Sequence, residues 1–91
     1  MDVNEAARWV QSVDRRLVVM EEALSNDVIR TSDVAGRTGR SVQNISRAIH
    51  EMEAEGLIEC ITPEKSTWKR YLLTREGRLV MESLRGVKTL R

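Results

Sequence analysis

SDVAGRTGRSVQNISRAIHEMEAEGLIE, residues 32–59, reads as two helices around one short turn. Thr38-Gly39-Arg40 interrupts the apolar pattern, and glycine there takes the left-handed backbone conformation that ends helices. Ahead of the turn, Val34 and Ala35 face inward from a short helix that Thr31 or Ser32 can cap. Beyond it, Ser41 is an N-cap candidate, and Ile45, Ile49 and Met52 recur every three or four residues with Val42 and Ala48 flanking them. That is the stripe of a helix with one buried face, and Gly56 closes it. A turn this short sets the two helices at a steep angle.

Working outward, Val3, Ala6, Val10, Val13, Leu17, Met20 and Leu24 alternate spacings of three and four and predict one helix from about Asn4 to Leu24. Ser25-Asn26-Asp27 supplies turn formers, and Val28-Ile29-Arg30 is a short β-prone piece. Downstream, Leu57 to Thr62 and Trp68 to Leu73 are β-prone runs around the polar loop Pro63-Glu64-Lys65-Ser66-Thr67, which reads as a hairpin. Pro63 sits where it cannot interrupt a ladder. Trp68 is expected to pack the base of that hairpin and Cys60 to be a buried strand residue. Trp9 is expected over the core or at a dimer seam. Thr74, with Glu76 nearby, starts a last helix whose Leu79, Val80 and Leu84 face inward before a frayed tail from Gly86 to Arg91.

A chain of 91 residues has room for one domain and one core. Trp9, Trp68 and Tyr71 are its only aromatics, so the core must be aliphatic. One cysteine and one histidine leave no disulfide and no metal-binding cluster, which points to a reducing cytoplasm. The opening MDVNEAARW lacks the basic flank and apolar run of an export signal, and no stretch approaches the ~18 apolar residues of a membrane span. With no nucleophile–base pair, metal set or phosphate loop, neither an enzyme nor a cofactor is expected. The net charge of +1 decides nothing about partners, but its distribution does. Val34 to His50 holds Arg37, Arg40 and Arg47 and no acid. Lys65 to Arg75 holds four cations and no acid, while Glu51, Glu53, Glu55 and Glu59 gather between these windows.

The order helix, short strand, helix, tight turn, helix, hairpin, helix is that of a winged helix-turn-helix: α+β, mostly α, with a three-helix core, a two-stranded wing and a C-terminal helix. The helix-turn-helix covers about 31–56 and the wing about 57–74 of a single domain, 1–91. In this arrangement helix 41–55 enters the major groove of double-stranded DNA. Arg40 and Ser41 stand at its start, and Gln43, Asn44, Arg47 and His50 lie on its outer face. Asn and Gln pair with adenine and Arg with guanine, each good pair discriminating by ~1–3 kcal/mol. Ser41 and the helix N-terminus favour a phosphate. Lys65, Lys69 and Arg70, on the wing at 63–70, are placed for the minor groove or the backbone. The apolar stripe of the first helix is longer than one small domain needs to cover. Val3, Val10 and Leu17, with the last helix, are therefore expected to form a homodimer interface for a partly palindromic site. The rival reading is a winged helix that contacts protein inside a replication, transcription or RNA-processing assembly. The residues do not name a small-molecule effector.

The quoted stretch resembles the helix-turn-helix of winged-helix regulators such as the MarR and ArsR families. The following YLLTREGR is similar to the strand and Leu-Thr-x-x-Gly segment that ends the wing in many of them, so the resemblance covers roughly residues 28–85. It implies that Ala35 is the small residue of the first motif helix, that Ile45 and Ile49 are core positions of the second, and that Glu55-Gly56-Leu57-Ile58 is the exit into the wing. The function it implies is regulation of transcription by sequence-specific DNA binding.

Overall fold

The computed structural model describes residues 1–65 and 67–86. Its elements are α1 (Val3–Gln11), α2 (Asp14–Ser25), α3 (Thr31–Thr38), α4 (Val42–Ala54), β1 (Ile58–Cys60), β2 (Tyr71–Leu73) and α5 (Arg75–Arg85). The fully buried side chains include Val10, Val19, Met20, Val34, Ile45, Ile49, Met52, Ile58 and Val80, an aliphatic core to which Tyr71 adds one ring.

The single N-terminal helix expected from the periodicity is two helices. Val13 takes an extended conformation (φ −131°, ψ 119°) and starts α2 without a side-chain cap. The Trp9 carbonyl at the end of α1 accepts from Ser12 Oγ at 2.8 Å and from Arg16 Nη1 at 2.9 Å, so two side chains satisfy a group that the break strands. The bend lets both halves of the stripe wrap around one core, so the apolar excess assigned to a dimer seam is mostly covered within the chain. Val10 is completely buried and cannot belong to an intermolecular surface, which corrects its place in the expected dimer interface. Leu17 packs half-buried against the same core, and Val3 is exposed.

α3 starts on Arg30 with no side-chain cap, so neither Thr31 nor Ser32 caps it. It ends on Gly39 at φ 71°, as the turn requires. Ser41 caps α4 by accepting the Asn44 N–H at 3.0 Å. β1 and β2 pair antiparallel with Ile58 opposite Leu73 and Cys60, half-buried, opposite Tyr71. The ladder is extended by Ile61 N–H donating to the Arg70 carbonyl at 2.9 Å. Ile29 forms an isolated bridge to Tyr71, its N–H donating at 2.9 Å and its carbonyl accepting at 3.0 Å, which ties the entry of α3 to the hairpin.

The Thr-x-x-Gly segment has a steric cause. Thr74 Oγ1 donates to the Gly56 carbonyl at 2.6 Å and accepts the Gly77 N–H at 3.0 Å, capping α5 against the exit of α4. A Cβ on Gly77 would lie 2.1 Å from the Leu57 carbonyl oxygen, so α5 meets backbone at that point and only glycine fits. Two expectations fail nearby. Leu79 is exposed and Met81 is buried in its stead, while Val80 is buried and Leu84 packs against the core as expected. Trp68 does not pack the hairpin base: it is 75% exposed and holds a φ of 60°, rare for a bulky residue. Gly86 ends α5 at φ 69°; the expected tail beyond it, 87–91, lies outside the described residues.

Candidate nucleic-acid interface

α4 turns Ile45, Ala48, Ile49 and Met52 into the core, which leaves Gln43, Arg47 and His50 exposed on the opposite face. Arg47 forms no ion pair among the described residues. Arg40 and Asn44 are less open than the sequence implies. Arg40 Nη1 donates to Asn44 Oδ1 at 3.2 Å, and the same guanidinium pairs with the Asp14 carboxylate at the start of α2. The relay Asp14–Arg40–Asn44 therefore links the start of α2 to the turn and to the first turn of α4. Asp14 was invisible as a partner because it lies far upstream of the acid-free window.

A second attachment from α2 grips α4 at Glu51. Arg15 Nη2 lies 2.6 Å from Glu51 Oε2 and its Nε 3.1 Å from Oε1, while Arg16 Nε adds a contact of 3.3 Å. The Arg15 hydrogen bonds, with those of Arg16 behind them and burial opposing, hold the Glu51 carboxyl down to about 2. Arg16 also stacks over Trp9, 3.9 Å from the ring centroid, a cation–π contact that joins this clamp to Trp9, which packs partly buried against the core as expected. Sequence reasoning missed Arg15 and Arg16, since nothing local marks a pair of arginines as partners of a glutamate on another helix.

Between the wing and the helix-turn-helix runs an open groove of about 580 Å³. Arg30, His50 and Lys69 border it, with the hydroxyls of Thr31, Ser32, Ser46 and Thr67, and its apolar lining comes from Val42, Trp68 and Tyr71. No acid lines it, although Arg30 is paired with Asp33 at 3.1 Å just outside. A shallower concavity of about 700 Å³ follows the outer face of α4 past Gln43, Arg47 and the arginine-paired Glu51 and shares Val42, Ser46 and His50 with the groove. The two form one surface. Of the wing cations, Lys69 reaches the groove, whereas Lys65 and Arg70 are exposed outside its lining. The surface thus combines a protruding polar helix face with an acid-free channel beside it, the shape and charge that a groove and its phosphate edge require. Among the described residues no group of three or more potential metal ligands occurs, and no helix is long and apolar enough to cross a membrane.

Helices α2, α3 and α4, the β1–β2 hairpin and the flanking α1 and α5 make a winged helix-turn-helix. Among solved structures the chain is similar to "TubR bound to 24 bp of tubC from Bacillus thuringiensis serovar israelensis pBtoxis", with a TM-score of 0.81 and 15% sequence identity over 97% of each chain. At that identity the likeness concerns the fold. No protein-family model matches the sequence, and no curated protein matches it at a significant level.

Proposed function

We propose that this chain is a DNA-binding transcriptional regulator that lays α4 in the major groove and its wing along the adjacent backbone. The observation that carries the reading is the continuous surface formed by the outer face of α4, where the acid Glu51 is paired with Arg15 and Arg16, and the acid-free groove beneath the wing. The likeness to TubR, which is bound to DNA in its structure, supports the same reading at the level of fold. Gln43 and Arg47 read base edges, and Asn44, steadied by Arg40, joins them. Ser41, His50, Lys65, Lys69 and Arg70 contact phosphates. Arg40 exchanges its Asp14 partner for a phosphate when DNA is present. A homodimer is part of the proposal, with Val3 and the exposed Leu79 on the paired helices α1 and α5 as its apolar contacts. Two copies would then set their α4 helices about one helical turn apart.

A mobility-shift assay with mixed-sequence duplex at low ionic strength tests this directly. Binding should appear and weaken steeply with added salt, because phosphate contacts release condensed counterions. Absence of a shift at low salt would move the protein into the class of winged helices that contact other proteins.

A further inference from the structure

Trp68 is the largest exposed apolar side chain among the described residues, and its backbone holds the left-handed conformation that a bulky residue avoids. It lines the groove beneath the wing together with Val42 and His50. An apolar core has no use for a tryptophan in that place, and a solvated loop would relax the backbone at once with glycine. The groove mixes hydroxyl and cationic donors with apolar walls, and acids are excluded from its lining. One strand of a nucleic-acid backbone alternates in the same way, an anionic phosphate followed by a largely apolar deoxyribose.

We propose that this groove carries one sugar–phosphate strand of the bound duplex and that Trp68 grips it by packing its indole against a deoxyribose. The inference rests on the DNA-binding reading above and adds a contact residue to it. Lys69 and the hydroxyls of Ser46 and Thr67 serve the phosphates on either side of that sugar. The wing is thereby held by an apolar contact that salt does not screen, alongside cationic contacts that it does.

The test uses the intact chain in a Trp9→Phe background, which leaves Trp68 as the only indole. Fluorescence anisotropy of a labelled mixed-sequence duplex reports binding, and acrylamide quenching of Trp68 reports whether the indole is covered. Quenching should fall severalfold in the complex. Trp68→Gly should lower affinity about tenfold, by analogy with the loss of an aromatic stacking contact, without flattening the salt dependence, since no charge is removed. Its melting temperature should hold or rise, because glycine accepts the positive φ without strain. Trp68→Phe should recover most of the affinity. Equal quenching of free and bound protein while anisotropy records binding overturns the proposal, as does parental affinity in Trp68→Gly. Loss of all duplex binding by the Trp9→Phe parent and wild type alike would remove the DNA reading and this contact with it, and anisotropy distinguishes that result from the other two.

Discussion

On the proposed function, individual side chains on α4 separate base contact from folding. Arg47 is exposed and Ile49 fully buried two positions further on. Arg47→Ala should weaken binding to a selected operator by ~1–3 kcal/mol, roughly 5- to 150-fold, with no change in melting temperature. Ile49→Ala should cost ~2–5 kcal/mol of stability as a core truncation. Thermal melts paired with anisotropy titrations check both, and a matched loss of stability in Arg47→Ala would give that residue a structural role instead. Gly77 sets a sharper constraint. The clash of a Cβ with the Leu57 carbonyl oxygen involves backbone and cannot be relieved by a rotamer change. Gly77→Ala should therefore destabilise the chain by about 2 kcal/mol or more through forced displacement of α5, measured by chemical denaturation. The sequence announced this glycine through a familiar spacing, but the reason for it, the approach of two segments twenty residues apart, appears only in three dimensions.

At the scale of elements, α2 is the scaffold that holds α4 in place, and Glu51 is where it holds. Because the Glu51 carboxyl is depressed from 4.5 to about 2 in the folded chain, its contribution to stability is fully present above pH 4.5 and is lost as the pH falls toward 2. Glu51→Gln should be less stable than wild type at neutral pH, and the gap should close across that acid window in denaturation curves taken along a pH series. A constant gap would mean that packing, and not charge, accounts for the loss. The wing is the other element open to a clean test. Replacing Lys65, Lys69 and Arg70 together by Ala should flatten the logarithmic salt dependence of DNA affinity by ~0.9 per lost phosphate contact while preserving base preference. A changed preference would make the wing a reader. The elements themselves were legible because strong signals agree there: Ser41 and Thr74 as caps, Gly39 at the turn, and a polar loop between two β-prone runs. The break at Ser12-Val13 was not, since a periodic stripe stays in register across a bend and no proline or glycine marks it. The exposed Trp68 was missed for a related reason: hydrophobicity predicts burial, and an apolar residue left exposed looks the same in sequence as one hidden for packing.

For the molecule as a whole, the division of apolar residues between core and exposed surface is the part that patterning could not apportion. Val10→Asp buries an unpaired charge and should unfold the chain outright, visible as loss of helical circular dichroism. Val3→Asp, at an exposed position, should leave the fold intact and shift sedimentation toward monomer if the α1–α5 face joins two copies. An unchanged sedimentation coefficient for Val3→Asp would remove Val3 from that contact. The clamp on Glu51 also bears on protein engineering. Within its own bounds α4 carries one arginine against two glutamates, so in isolation it is an acidic segment. Here the charge of Glu51 is compensated by Arg15 and Arg16 on its neighbour. Transplanting α4 alone into a foreign scaffold would import Gln43 and Arg47 together with uncompensated negative charge facing the phosphates. A graft meant to carry its sequence preference must bring the two arginines of α2 with it.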